Sequence, residues 1–389
     1  MKTITRSCIC CGDSDGQTLA LEIFSIAGLG ETQMNLKICD SCGCVIQDPV
    51  ASPDVIEYYY KNLSNYTNVS RGGAPATTSV ESKSRQISII QDHTRPGSMY
   101  EVGCATGYVL SELKKIGWSV AGCDPSASAA IVALDLYNIE IQTGLFDDIE
   151  IAKESTDLVL ISHVLEHIYQ PVDFLKKANR MLSEEGYLLV EVPCLTNPES
   201  WGNGYFTFEH INIFSKNSLV NCIVRAGFQP EHIEVNVRGM PYPVITVLAK
   251  KVRNPEHSIY EKDDPVEVRK LIDIYLKSND SDWQRINQLL ESELHGFEKI
   301  VVWGGGVHTS QLLHNTTAIK HSNVIAVVDR DIQKHGMKIC DIEIVDYTSI
   351  DLNDTAIAVV ISSKASEYEI NSFLLNELKA KSKIINLYH

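Results

Sequence analysis

The chain has 389 residues, 44% of them hydrophobic and 22% charged, the balance of a soluble globular protein of two or three domains. A net charge of −16 argues against nucleic acid as a partner, because phosphate binding asks for a basic face; a small anionic ligand in a local pocket stays compatible. No run approaches the roughly 18 apolar residues of a membrane span, and the start M-K-T-I-T-R has no apolar signal core, so the expectation is a cytoplasmic protein without a membrane partner. Monomer and homodimer are both compatible with these features.

Six of the eleven cysteines fall in the first 44 residues, as C-I-C-C at 8–11 and C-D-S-C-G-C at 39–44, with a strand-rich insert between them. The two C-x-x-C pairs, Cys8/Cys11 and Cys39/Cys42, have the spacing of two knuckles closing one tetrahedral zinc site, with Cys10 and Cys44 to spare. Four thiolates leave no open position, so such a zinc is structural, and residues 1–60 read as a small zinc-binding domain. A polar stretch follows, with Tyr58, Tyr59, Tyr60 and Tyr66, the flexible run R-G-G-A-P-A, and a helical run over 79–92 that reads either as a lid on a pocket or as a linker.

From residue 97 strands alternate with helices: candidate strands are 99–102, 118–123, 139–142, 157–162, 186–192 and 244–249, the pattern of a doubly wound sheet over 61–250. The first strand opens onto M-Y-E-V-G-C-A-T-G, with Glu101, Gly103, Ala105 and Gly107, and the second ends at Asp124. Glycines let the backbone approach a ligand, and an acid some twenty residues on can hold ribose hydroxyls. The loop lacks the middle glycine that admits a pyrophosphate, so the set suits a cofactor with a cationic tail and no phosphate. It resembles that of class I methyltransferases, which implies S-adenosylmethionine. Phe146 and Asp147, after the third strand, are candidates for the adenine edge, although a solvated acidic turn explains them as well. Past the fourth strand, His163, Glu166 and His167 fall at the rim of the site, with His163 counted in the cofactor set. His163 and His167 share a face if that turn is helical, but no further metal ligand is near in sequence.

Glu209 and His210 sit in an aromatic-rich run, W-G-N-G-Y-F-T-F-E-H-I-N-I-F-S. Aromatic walls lower an imidazole's pKa and a carboxylate raises it, so His210 reads either as a poised base or as a core histidine at a loop–helix junction. Residues 251–297 read as a linker with two amphipathic helices. Residues 298–389 form a second, smaller Rossmann-like α/β unit beginning K-I-V-V-W-G-G-G. Its His308, Thr309 and Ser310 mark a helix start that can hold a pyrophosphate or simply cap the helix, and Asp329 would suit a ribose.

Taken in order, the paired C-x-x-C followed by G-x-V-x-Q, the cofactor loop, E-V-P and F-x-x-E-H-x-x-x-F-S resemble the nucleotide-sugar C-3′-methyltransferases across essentially the whole chain. That resemblance implies methylation of the carbon beside a 4-keto group on a nucleotide-linked sugar. His210 would be the base, Glu209 its orienting partner, His167 a neighbour of the keto oxygen, and Tyr66 would face the methyl. Two stretches depart from the family: Thr207 stands where it usually has tyrosine, and R-G-M-P-Y-P-V at 238–244 replaces H-G-G-S-L-R. O- or N-methylation of a related sugar is the alternative chemistry. A non-catalytic zinc and Rossmann scaffold is the alternative class, which would carry neither S-adenosylmethionine nor its demethylated product. An NAD-dependent oxidoreductase built on the tail unit would show a nicotinamide absorbance change.

Overall fold

The computed structural model describes residues 1–62, 77–201, 205–236, 242–253, 261–364 and 366–388. Five strands come first: β1 (Thr3–Ile4), β2 (Gly16–Ile26), β3 (Gly30–Cys39), β4 (Val45–Gln47) and β5 (Val50–Ala51). In β3 the residues Met34, Leu36 and Ile38 are buried while their neighbours are less so, the period of two that gives a strand one core face. Two helices follow, α1 (Pro53–Asn62) and α2 (Thr77–His93).

The central unit comprises β6 (Ser98–Val102), α3 (Tyr108–Lys115), β7 (Ser119–Asp124), α4 (Ala127–Tyr137), β8 (Gln142–Thr143), β9 (Thr156–Ser162), α5 (Pro171–Met181), β10 (Leu182–Pro193), β11 (Asn212–Ile213), α6 (Lys216–Arg225), β12 (Phe228–Asn236) and β13 (Val244–Lys251). Its seven-stranded sheet has the order β12-β13-β10-β9-β6-β7-β8. Strands β6 to β10 are parallel, and β13 inserts antiparallel between β10 and β12. Leu158, Val159, Leu160 and Ile161 of β9 have no exposed surface, as expected of a strand covered on both faces. Strand β6 lies between β7 and β9, so the chain reverses direction across the sheet there, and a ligand crevice opens beyond its carboxyl end. The expected strands are present, with the third shifted to Gln142–Thr143. Strand β12 is the addition: its Pro230 lies at a register shift on the sheet edge, where a missing N–H is tolerated.

The short strand β11 leaves this sheet and pairs with β4, completing a four-stranded sheet β11-β4-β3-β2. Arg6 reinforces the junction, donating to the carbonyls of Ile211 (3.0 Å) and Tyr169 (2.8 Å) and to Asn212 Oδ1 (2.9 Å).

Instead of two helices, the described residues of the 251–297 region form one, α7 (Pro265–Glu293). Val268, Ile272, Tyr275, Asn279, Trp283, Ile286 and Leu290 form an unbroken buried stripe along it at steps of three and four, apolar but for Asn279, which removes any reason for a break. The tail then runs β14 (Lys299–Trp303), α8 (Val307–Asn315), α9 (Thr317–Lys320), β15 (Val324–Val328), β16 (Lys338–Ile339), β17 (Ile342–Val345), β18 (Ile357–Ile361), α10 (Glu367–Ser372) and β19 (Lys383–Ile385). Its sheet order, β16-β17-β15-β14-β18-β19, again places the first strand at the reversal point. Among the described residues no helix is long and apolar enough to cross a membrane.

Candidate active site

At the end of β6 the backbone turns through Gly103 (φ +69°) and Gly107 (φ +75°). A Cβ on Gly103 would fall 2.5 Å from Val164 Cγ2, so only glycine fits there. The loop is fastened to β7: Gly103 N and Cys104 N donate to Cys123 O (2.8 and 3.0 Å), and Ala105 N donates to Asp124 Oδ2 (2.8 Å). The other Asp124 oxygen accepts from Ser126 N (2.9 Å), and each keeps a second lone pair for a ribose hydroxyl.

Glu101 is 3% exposed, and its Oε2 has no hydrogen-bond partner among the described residues. Burial, against the pull of Lys83 and with the push of Asp124, raises this carboxyl to about 8. A buried acid held short of ionisation beside a glycine loop fits the ammonium group of an amino-acid-bearing cofactor.

Phe146 stands in the turn expected at the adenine edge. Its ring is a core residue against Tyr100 and Phe174 (centroids at 6.2 and 5.1 Å), which leaves exposed Asp147 as the side chain offered by that turn. Lys177 Nζ fixes the turn through the carbonyls of Phe146 (2.6 Å), Asp147 (2.9 Å) and Ile149 (2.8 Å).

Beyond β9 the chain enters His163 in the left-handed region (φ +55°), then a 3-10 turn over Leu165–His167. His163 N donates to Glu191 O (2.8 Å); its Nδ1 lies 3.4 Å from Glu166 Oε1 and its Nε2 3.7 Å from Glu191 Oε1. Burial lowers the affinity of His163 for a proton, but the two carboxylates outweigh it and raise the pKa to about 9. Glu191, in the E-V-P run of β10, is wholly buried and binds Arg85, Gln86 Nε2 (2.5 Å) and Thr246 Oγ1 (2.5 Å). Arg85 and Gln86 come from α2, which also places Lys83 Nζ 3.0 Å from Ser162 Oγ. The helix therefore covers the strand ends, as a lid would.

His210 sits against His167, ring centroids 5.0 Å apart, and one ligand atom each of Glu166, His167 and His210 lie within 4.8 Å of one another. Burial, with a further push from His167, lowers His210 to about 3, so it is neutral at pH 7 with a free lone pair. His167 Nδ1 donates to Glu209 O (2.9 Å) and lies 2.8 Å from Tyr60 Oη. That bond leaves Nε2 turned to Glu166 Oε1 at 3.8 Å.

The orienting role expected of Glu209 is corrected too: its carboxyl binds the Tyr59 hydroxyl, and Glu166 with His167 are the neighbours of His210. Adjacent residues in a turn point apart, so sequence adjacency gave no contact. Tyr66 lies outside the described residues. Sequence reasoning assigned nothing to Gln47, Tyr59, Tyr60, Arg85 or Glu191, although Gln47 and Glu191 stand inside quoted motifs. Gln47 donates through Nε2 to Thr207 O (2.6 Å) and His210 O (2.8 Å), so the N-terminal sheet holds the loop that carries the histidine.

In the tail, Thr309 and Ser310 have no exposed surface. Thr309 Oγ1 donates to Ser362 Oγ (2.8 Å), Ser310 Oγ accepts from Ser25 N (2.5 Å), and His308 binds Ser362 Oγ (2.8 Å) and the Tyr388 hydroxyl. These three side chains serve internal packing, which corrects their reading as a pyrophosphate site. The four thiols of Cys8, Cys11, Cys39 and Cys42 lie within 4.8 Å of one another, with Cys8–Cys42 and Cys11–Cys39 both at 3.5 Å.

Comparison with known proteins agrees with this geometry. Residues 84–233 match a family model described as a methyltransferase domain. Over 99 residues the chain is 29% identical to an uncharacterized methyltransferase of Staphylococcus carnosus (25% of this chain, 47% of the relative). Over 94 residues it is 33% identical to a ubiquinone biosynthesis O-methyltransferase of Bradyrhizobium diazoefficiens (23% of this chain, 37% of the relative). The chain thus spans less than half the length of these two relatives. A SAM-dependent methyltransferase structure from Aquifex aeolicus superposes with a TM-score of 0.39 at 16% identity, covering 49% of this chain and all of that one. The 84–233 region is a class I S-adenosylmethionine-dependent methyltransferase domain.

Proposed function

We propose that the whole chain is an S-adenosylmethionine-dependent C-methyltransferase that acts on carbon 3 of a nucleotide-linked 4-keto deoxysugar. The observation that carries this reading is His210: a neutral, half-buried imidazole, backed by Glu166 and His167, at the carboxyl edge of the sheet. Its lone pair takes the C3 proton, the C–H electron pair becomes an enolate with its charge on O4, and Glu166 stabilises the imidazolium that forms. His167 stands beside the developing charge, with its tautomer set by Glu209 O. Glu101, the Gly103–Gly107 loop and Asp124 would hold S-adenosylmethionine, which would supply an electrophilic methyl group: the C3–methyl bond forms as the methyl–sulfur bond breaks, the electron pair stays on sulfur to give S-adenosylhomocysteine, and the ketone re-forms. The four N-terminal cysteines fit one structural zinc, since their sulfur separations are near the spacing of a closed tetrahedral site.

A second reading has one observation in its favour: the Glu166–His167–His210 convergence also suits a divalent ion that would acidify an acceptor hydroxyl, giving O-methylation. One experiment separates them. The protein is incubated in D2O with S-adenosylhomocysteine and a dTDP-linked 4-keto-6-deoxy sugar, and C3 is followed by NMR. Deuterium entering C3 in the native protein but not in His210→Asn is expected. In a parallel incubation with S-adenosylmethionine, a methyl group found on oxygen, together with no exchange at C3, would overturn the carbon reading.

A further inference from the structure

We infer that the chain carries a second transition-metal site, built from Glu31, His314 and Cys340 where the N-terminal sheet meets the tail. One donor atom from each of these three residues lies within 4.8 Å of the others. His314 Nε2 is 3.5 Å from Glu31 Oε1, and Cys340 Sγ lies 3.7 and 3.9 Å from the two His314 ring nitrogens. Tetrahedral zinc with bonds of about 2.0–2.3 Å sets its ligands about 3.3–3.7 Å apart, so small side-chain adjustments would close this set around an ion.

The ring is also prepared for it. His314 Nδ1 donates to Ser310 O (2.8 Å), which leaves the lone pair on Nε2, the nitrogen nearest Glu31. Each ligand stands on a fixed element: Glu31 begins β3, His314 ends α8, and Cys340 occupies a left-handed turn (φ +48°) between β16 and β17. Ser25 joins these elements, donating through N to Ser310 Oγ (2.5 Å) and accepting from Cys340 N (2.8 Å). One thiolate, one imidazole and one carboxylate select zinc over calcium or magnesium, and three protein ligands leave a fourth position for water. Such an ion would pin the β2–β3 hairpin, and through β4 the loop of His210, to the tail.

The test is metal content of the full chain, purified with zinc and desalted, together with cobalt spectra. The native protein is expected to retain one more ion per chain than Cys340→Ala or His314→Ala, whether or not the four-cysteine site is filled. A separate Cys39→Ser variant should lose a different ion. Cobalt added after the four-cysteine site is saturated should give a single-thiolate charge-transfer band, absent from Cys340→Ala. Glu31 is exposed, so Glu31→Gln should keep the fold, checked by circular dichroism, and weaken retention of this ion at least about tenfold. Equal metal content in the native protein, Cys340→Ala and Glu31→Gln would overturn the site.

Discussion

Both α/β units set an aspartate at the close of their second strand, Asp124 as its last residue and Asp329 just past it, and use it in the same way. Asp124 accepts from Ala105 N (2.8 Å) and Ser126 N (2.9 Å); Asp329 accepts from Gly305 N (2.7 Å) and Asp331 N (2.8 Å). In each, the first loop glycine also donates to the carbonyl just before that aspartate, Gly103 to Cys123 (2.8 Å) and Gly304 to Val328 (2.7 Å). The units part in what surrounds this shared fastening. Two residues before the glycine the first has Glu101, with an unpartnered buried oxygen, and the second has Val302, wholly buried. The loops after β9 and before β11 carry three histidines in the first unit, whereas in the second Asp329 has the buried Lys334 Nζ at 3.4 Å. The strand-two aspartate is therefore a loop fastener in both units, and the proposed cofactor site lies in the one where a buried acid stands beside the loop.

The strongest way to break this contrast is to remove its histidines one from each unit. His210→Asn is expected to lower turnover on the order of 10²–10⁴-fold with cofactor affinity unchanged, whereas His308→Asn should leave turnover intact. Equal losses measured by product mass would mean that both units do chemistry. Asp329→Ala comes next. It removes the acceptor of Gly305 N and Asp331 N and the carboxylate 3.4 Å from Lys334 Nζ, and should cost about 3 kcal/mol of stability in thermal unfolding, with no change in cofactor affinity by calorimetry.

Glu101 sharpens the same contrast through pH. Its folded pKa, about 8, lies above the ordinary value of 4.5, so between those pH values the folded chain holds a proton that the unfolded chain has released. Its contribution to stability is therefore greatest at low pH and fades as pH rises toward 8. A cationic ligand needs the ionised form, so cofactor affinity should strengthen as pH rises from 6 to 8 and then level. Glu101→Gln should weaken binding about 10–100-fold at pH 8.5, flatten that profile, and stabilise the ligand-free chain above pH 8. Titration calorimetry across this range reads the affinity.

Much of the frame was legible in the chain because buried parallel strands are continuous apolar runs, as in D-L-V-L-I-S and K-I-V-V-W. Strand β12 was not: Gln229, Pro230, Glu231 and Glu234 give an edge strand too little apolar signal. Site chemistry was legible as residue types but not as pairings. Glu209 is beside His210 in sequence yet binds Tyr59, 150 residues away. Phe146 looked available in a short polar turn, but α5 and Tyr100 bury its ring. The hydroxyls of Thr309 and Ser310 suited an anion until Ser362 and Ser25 claimed them. Long-range partners of this kind leave no local pattern.

Gln47 gives the smallest expected effect, and it tests whether the N-terminal sheet positions the site or only stands beside it. The residue is 3% exposed, and its amide donates to two carbonyls of the loop, Thr207 O and His210 O. Gln47→Leu keeps the volume and removes both bonds at about 1 kcal/mol each, leaving Thr207 O only the bond from His210 N (3.3 Å). The backbone pairing of β4 with β11, Ile46 to Asn212 and Val45 to Ile213, survives the change, so the loop stays attached and only its last few tenths of an ångström are released. Turnover should fall about tenfold while cofactor affinity and zinc content hold. Gln47→Glu turns the two donors into acceptors facing two carbonyls, and should do worse than Gln47→Leu although it is closer in shape. If both variants turn over like the native protein, the N-terminal sheet has no part in placing His210, and the tail and this module would then be equally remote from the chemistry.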